Sequence, residues 1–230
     1  MARQKPLGMR IGESVFCGGY LVFALVAAII FLMGRTGAHP AFATRCALMT
    51  LLLGVGDAFH LVPRILNNLH GETSDKREQS RRTFWLGLGN LVSSITMTGF
   101  YILLFDALLM LPEHEGQVHW GQDFLRTALL VLAAVRVVLC LFPQNLWFSR
   151  EVNMRWGIIR NAPFLVMGVL TVAYLLFWYQ EWLMALLVVL SFACYMGVVL
   201  YAHDRPAMGM LMIPKTICYI LLIVMLLGRM

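Results

Sequence analysis

Apolar runs recur along the whole chain, separated by short polar stretches. A bilayer core of about 30 Å needs roughly 20 apolar residues in an α-helix, and each run has about this length. No strand-like alternation persists, which argues against a β-barrel. The pattern predicts an all-α fold: a polytopic bundle of seven transmembrane helices that forms one integral membrane domain over residues 1–230. The expected spans are about 13–34, 41–65, 84–106, 123–143, 156–178, 182–203 and 207–228.

The first apolar run follows a basic N-terminus, as in a secretory signal peptide. The run from Val15 to Met33 is longer than a typical signal core, and no A-x-A cleavage site follows it. We therefore expect it to be a retained helix.

Composition agrees with a membrane protein. Apolar residues make up 60% of the chain and charged residues 13%, and the mean hydropathy is +0.76. A soluble domain has about 45–50% apolar and about 25% charged residues. These values exclude a soluble enzyme and a disordered chain. The five cysteines are scattered and lack metal-ligand spacing, so they indicate neither a disulfide framework nor a zinc site.

Loop charge predicts the orientation, because cytoplasmic loops are enriched in Lys and Arg. One side carries ten such residues: Arg3, Lys5, Arg10, Lys76, Arg77, Arg81, Arg82, Arg150, Arg155 and Arg205. The other side carries four: Arg35, Arg45, Arg126 and Arg229. The N-terminus is therefore expected in the cytoplasm and the C-terminus outside. The net charge of +6 is mostly loop charge of this kind, and we predict no nucleic-acid partner.

Four cations remain inside the spans: Arg64, Arg136, Arg160 and Lys215. Each costs roughly 2.5–3.5 kcal/mol to insert at the centre of a helix, so each should face a partner or water. Asp57 is the one acidic residue counted with them. The balance leaves about three cationic charges for an anionic guest such as a phosphate, a carboxylate or a lipid headgroup.

The predicted orientation places these polar residues at one level, in the cytoplasmic half of the bundle. Asp57, His60 and Arg64 are spaced i, i+3, i+7 and share a helix face. Pro63 should kink or loosen the end of its helix. Pro163 and Pro214 also lie next to buried charges, and carbonyl groups freed by such prolines typically line a cavity in membrane proteins. We therefore predict a ligand-binding cavity formed by Arg64, Asn90, Ser94, Arg136, Arg160, Asn161 and Lys215. Asp57 and His60 are the catalytic candidates.

A structural interpretation of the same residues stays open. Asp57 could neutralise one cation, and Arg64 and Arg160 could extend to the interface. The polar stripe of the third span, which includes Ser94, could serve helix packing alone.

Two functions compete for the cavity. The first is binding or transport of a small anionic solute or lipid headgroup. The second is an intramembrane lipid hydrolase with Asp57 and His60 as an acid–base pair. A transporter needs only cations and hinges, whereas a hydrolase also needs a nucleophile or a metal that the sequence does not display. A seven-helix sensor is a third hypothesis, against which the short cytoplasmic loops argue.

No cofactor or metal is predicted, and membrane lipids are the expected partners. His203 and Asp204 could join Asp57 and His60 in a zinc site. As neighbours on a helix, however, they point about 100° apart.

Five strings carry a resemblance to a known family: GDAFHLVPRI (56–65), SITMT (94–98), LCLFPQN (139–145), GIIRNAPF (157–164) and GMLMIPKT (209–216). Together they resemble an uncharacterised family of bacterial seven-helix integral membrane proteins, and the resemblance covers nearly the whole chain. It implies a multi-pass protein of the bacterial plasma membrane and no particular activity. A fainter similarity to YhhN-type lysoplasmalogenases rests on Gly56-Asp57 and the pattern from Gly87 to Tyr101. The serine–aspartate pair of that family is replaced here by Ser191-Phe192.

Orientation can be tested with C-terminal fusions in intact bacteria. The ten-to-four distribution of loop cations predicts that a C-terminal alkaline phosphatase is active and a C-terminal GFP is dark. A bright GFP fusion with inactive phosphatase would reverse the topology.

Overall fold

The structure is a computed structural model, and it describes residues 7–71, 75–114, 120–149, 151–202 and 205–230. It confirms the all-α fold: the described residues contain no strand and seven helices long and apolar enough to cross a membrane. The helices are α1 (Leu7–Met33), α2 (Pro40–His70), α3 (Lys76–Leu108), α4 (Gln122–Leu141), α5 (Met154–Tyr174), α6 (Trp182–Tyr201) and α7 (Met212–Leu227). A π-helical turn extends α5 over Leu175–Tyr179, and a 3-10 helix, Pro206–Leu211, leads into α7.

The largest boundary difference is at the start of α3, and the helix before it is also longer than expected. α2 continues to His70 and α3 already begins at Lys76, because polar residues outside the apolar runs remain helical. Gly71 ends α2 with φ of 73°, a left-handed value that glycine adopts readily. Asp75 caps α3 by accepting a hydrogen bond from the backbone N–H of Arg77. Hydropathy alone cannot locate such ends.

The three prolines do not end their helices. Pro63 lies inside α2, which runs on to His70, beyond the expected end of the second span, and its kinking or loosening of the helix stays a prediction. Pro163 also lies inside α5. Pro214 lies in the first turn of α7, where no backbone donor is needed.

Each helix packs against the next, and contacts between α1 and α7 close the ring. α3 also contacts α5 across the bundle. At mid-height, five buried rings form a layer across the interior, with neighbouring centroids 4.8–5.3 Å apart. We call this the aromatic layer: Phe100, Tyr101, Phe164, Phe192 and Tyr219.

The two halves on either side of the aromatic layer differ. We call the end that holds the N-terminus and the α2–α3, α4–α5 and α6–α7 connections the N-terminal end. The opposite half is filled by apolar side chains, including Leu104, Leu108, Met184 and Ile223. Ion pairs stabilise its rim, where Asp106 pairs with Arg126 at 3.0 Å. Arg229 pairs there with Glu181 at 2.6 Å and with Glu113 at 3.2 Å.

Glycines allow α2 and α3 to approach closely beside the buried charges. A Cβ at Gly89 would overlap the carbonyl oxygen of Phe59 and the Cα of His60. A Cβ at Gly56 would overlap the side chain of Thr96. Because these glycines have no side chain, the α2 backbone near Asp57 and His60 can lie directly against α3.

The close approach at Gly89 predicts a difference between two Gly→Ala variants of α3. Gly89→Ala should destabilise the protein by about 1–3 kcal/mol, since the backbone of α2 must move. Gly99→Ala meets only the end of the Leu52 side chain and gains up to about 1 kcal/mol of helix propensity. Melting temperatures in detergent should fall for Gly89→Ala and stay or rise for Gly99→Ala. Equal effects would contradict this packing.

Candidate functional site

A polar cavity of about 240 Å³ lies between the aromatic layer and the N-terminal end. Side chains from α2 to α7 line it. Arg136 lies in the last two turns of α4, and Arg160 and Lys215 lie in the first two turns of α5 and α7. Their positions place the cavity in the half predicted to be cytoplasmic.

Eight of the nine residues singled out from the sequence line this cavity: Asp57, His60, Arg64, Asn90, Ser94, Arg136, Arg160 and Lys215. The ninth, Asn161, is buried next to it and contacts Arg136 and Tyr195. The structure thus brings the predicted residues together. Their ligand-binding and catalytic roles stay predictions.

Asp57 is held by two hydroxyl groups from neighbouring helices. Tyr20 of α1 donates to one carboxylate oxygen at 2.8 Å, and Ser93 of α3 donates to the other at 3.1 Å. Both oxygens of the buried carboxylate therefore already accept a hydrogen bond. This arrangement anchors the negative charge and fixes its orientation.

Arg136 is the largest fully buried side chain described and is only 1% exposed. Its guanidinium donates to the hydroxyl of Thr98 at 3.0 Å and to Asn161 Oδ1 at 3.4 Å. It lies over the ring of Phe164, with 3.4 Å from Cζ to the ring centroid. No carboxylate in the described part of the chain pairs with it, and its Nε has no hydrogen-bond partner. The charge is thus only partly compensated.

The turn after α4 positions Arg160. Asn145 Nδ2 donates to the carbonyl groups of Leu139, Cys140 and Phe142 at the end of α4, where the helix no longer supplies its full set of backbone donors. The Oδ1 atom of Asn145 accepts from Arg160 at 2.8 Å. Trp147 donates to the same Cys140 carbonyl and places its ring 4.1 Å from Arg160 Cζ. One capped turn therefore offers Arg160 an amide oxygen and an aromatic face.

Lys215 and His60 have unused polar atoms. Lys215 is 8% exposed and forms no hydrogen bond or ion pair with the described residues. Its ammonium group lies 5.4 Å from the ring centroid of Tyr195 and 5.1 Å from that of Tyr219. Nδ1 of His60 is buried without a partner among the described atoms. A buried ammonium group with three free donors favours an acceptor from outside the protein.

Arg64 has a partner that the sequence reasoning missed. Glu13 of α1 forms a salt bridge with it, and the side chains are 10% and 26% exposed, respectively. The count of one carboxylate against four cations was therefore wrong by one. The cations around the site are Arg64, Arg136, Arg160 and Lys215, opposed by Asp57 and Glu13. Among the described residues, the excess is two positive charges.

The polar stripe of α3 divides into two roles. The hydroxyl groups of Ser94 and Thr98 donate to backbone carbonyl groups one turn earlier in the same helix. Ser93 instead donates to Asp57, and Thr98 also accepts from Arg136. The packing interpretation therefore explains part of the stripe, and the rest belongs to the charged network.

Several residues of the site had little or no signal in the sequence. Glu13 and Tyr20 are seven residues apart and therefore share a face of α1, and this face meets the charged face of α2. A search for acidic residues at the edge of a span would have found Glu13. Trp147 and Tyr195 line the cavity through tertiary packing that no spacing rule anticipates. The residues weighed as extra zinc ligands, His203 and Asp204, lie outside the described residues.

A comparison of the chain with models of known protein families, with curated proteins and with solved structures finds no match.

The Glu13–Arg64 pair predicts how stability responds when one partner is removed. Glu13→Gln leaves Arg64 partly buried without a counter-charge. The loss should lie between the about 1 kcal/mol of an exposed pair and the about 3–5 kcal/mol of a fully buried one. The double variant Glu13→Gln/Arg64→Gln should recover part of this loss. A melting temperature of Glu13→Gln equal to wild type would mean that the pair contributes nothing.

Proposed function

We propose that this protein binds a small anion, or the anionic headgroup of a lipid, in the cavity and serves as a binder or transporter of it. The observation that carries the proposal is the positive charge of Arg136, Arg160 and Lys215, which no carboxylate among the described residues neutralises. These side chains converge on a buried cavity with an excess of two positive charges. The resemblance noted above supports the bacterial plasma membrane as the location.

The donors of the three cations favour an oxyanion in particular. A guanidinium carries five N–H donors, of which Arg136 uses two and Arg160 one in the described contacts. Lys215 uses none of its three donors in the described contacts. Phosphate and carboxylate oxygens accept several charge-assisted hydrogen bonds at once, and a chloride ion offers less directional matching. An oxyanion would relieve much of the cost of burying these charges.

The geometry favours binding over the hydrolase alternative. Both carboxylate oxygens of Asp57 already accept hydrogen bonds from Tyr20 and Ser93, and no hydrogen bond joins Asp57 to His60 in the described contacts. A direct contact between the two side chains is what would let them work as an acid–base pair. The anchored carboxylate instead sets the charge balance and the position of α2.

Access to the cavity supports a cytoplasmic entrance. Arg64 and Arg160 are half-buried at the side that faces the N-terminal end, and the aromatic layer closes the other side. An anion from the cytoplasm would meet these two cations first and then Arg136 and Lys215.

Thermal shift assays on the purified protein in a neutral detergent test anion binding. Inorganic phosphate, citrate and a short-chain phosphatidate are titrated at constant ionic strength. At least one should raise the melting temperature of wild type, since a ligand at 100 times its Kd stabilises by about 2.7 kcal/mol. Lys215→Met and Arg136→Gln should each reduce that rise, because each removes a charge that the ligand contacts.

Lys76→Met is the matched control, because it removes an exposed lysine at the start of α3 that does not line the cavity. It should respond to ligand as wild type does. Without ligand, Lys215→Met should melt at the wild-type temperature or above, since it removes an uncompensated buried charge. The proposal fails if no probe stabilises wild type more than the two cavity variants. It also fails if both cavity variants melt far below wild type without ligand.

A further inference from the structure

A second cavity lies beside the first, between α1, α2 and the start of α7. It has a volume of about 220 Å³. Its lining is mostly apolar and includes Phe16, Met210 and Ile213. Met9, Gly12 and Met210 are exposed on the outer surface of the bundle, so the crevice opens toward the surroundings of α1 and α7. We call it the lateral crevice.

The lateral crevice and the cationic cavity share a wall. Four residues line both: Leu61, Arg64, Met212 and Thr216. Arg64 and Met212 have long unbranched side chains that can change rotamer without moving the backbone. A flexible chain could therefore pass from one space to the other.

α1 forms one wall of the crevice, and few atoms of the other helices pack against it at Gly12. A Cβ at this glycine would meet no atom within 4 Å. Three polar contacts instead tie α1 to α2 along the crevice: the salt bridge of Glu13 with Arg64, the hydrogen bond of Tyr20 with Asp57 and the hydrogen bond that Arg10 donates to the carbonyl oxygen of Asn68. The space beside Gly12 is thus open while the helix itself is held in place.

We infer that the ligand is an amphiphile, a lipid with a phosphate monoester headgroup in the cationic cavity and its acyl chain in the lateral crevice. The inference rests on the proposed anion binding and adds the substrate class. A phosphate monoester carries about −1.5 to −2 charges at pH 7. That charge matches the excess of two positive charges around the cavity. The apolar crevice beside the shared wall accepts the chain, which a free phosphate lacks.

The same geometry gives the route of entry. A lipid in the cytoplasmic leaflet has its phosphate near the N-terminal end of the bundle and its chain in the hydrocarbon core. Lateral entry between α1 and α7 keeps the chain in apolar surroundings while the headgroup moves toward Lys215 and Arg136. A methylene transferred from water would raise affinity about fourfold, and one that enters from a bilayer or a micelle gains less, because it already lies in apolar surroundings.

Two leucine variants of α1 distinguish the contribution of the acyl chain to affinity from that of the headgroup. Gly12→Leu places an apolar side chain in the crevice at a position where a Cβ would meet no atom within 4 Å. Gly19→Leu is the matched control, because Gly19 is equally exposed and unobstructed on the same helix but does not line the crevice. Both variants should melt at or above the wild-type temperature, since leucine favours helix over glycine.

The experiment is isothermal titration calorimetry of the full-length protein in neutral detergent, with inorganic phosphate, lauroyl lysophosphatidate and lauroyl lysophosphatidylcholine as probes. Wild type should bind lysophosphatidate at least about tenfold more tightly than phosphate, and lysophosphatidylcholine weakly. Gly12→Leu should lose most of the gain for lysophosphatidate and keep its phosphate affinity. Gly19→Leu should behave as wild type with all three probes.

Other results separate the two proposals. Equal affinities of wild type for phosphate and lysophosphatidate, or no selective effect of Gly12→Leu, overturn the lipid inference and leave anion binding intact. Equal binding of lysophosphatidylcholine overturns the placement of the headgroup, because the chain alone would then account for affinity. Failure of phosphate and lysophosphatidate to bind wild type, or unchanged binding of both to Lys215→Met, overturns anion binding and the lipid inference together.

Discussion

The burial of cations without enough carboxylates is the constraint on which this structure depends. The hydrocarbon core of a membrane offers no hydrogen-bonding partner, so each charge there must find a counter-charge, polar atoms, an aromatic face or a cavity. Arg64 has Glu13, whereas Arg136 and Arg160 have amide and hydroxyl oxygens and rings. Lys215 has only the faces of two tyrosines among the described residues. Such incomplete compensation is costly for a bundle whose sole task is to fold, and it is expected of one that receives an anion.

The fold meets this constraint by separating two halves. Toward the C-terminal end, apolar side chains fill the interior and ion pairs stay at the rim. Toward the N-terminal end, glycines draw α2 against α3, and a turn after α4 is capped by the same Asn145 that contacts Arg160. The aromatic layer divides the two and is shared by both, because Phe164 belongs to the layer and also lies under the guanidinium of Arg136. Phe164 therefore links the packing of the aromatic layer to the position of the buried charge.

Sequence reasoning succeeded where the property is visible in the order of residues along the chain. Apolar runs revealed seven helices, and the high insertion cost of a charge singled out Arg136 and Lys215 before any contact was known. It failed where the determinant is a neighbour from a distant part of the chain. Glu13 was taken as the edge of a span, although the helix begins at Leu7 and its side chain reaches Arg64. Trp147 had no signal, since its position follows from the turn after α4 and the close approach of Gly87 in α3.

The depth of the cavity has an electrical consequence. With the orientation given by the loop charges, Arg136 and Lys215 lie inside the membrane rather than at its surface, so an anion that reaches them has crossed part of the transmembrane voltage. A full crossing is worth about 2.3 kcal/mol per elementary charge at 100 mV. An interior that is negative drives an anion outward from the cytoplasm, and occupancy of the cavity therefore increases as the cell polarises its membrane. A divalent anion experiences this twice as strongly as a monovalent one, so the resting potential itself would help the cavity to distinguish between them.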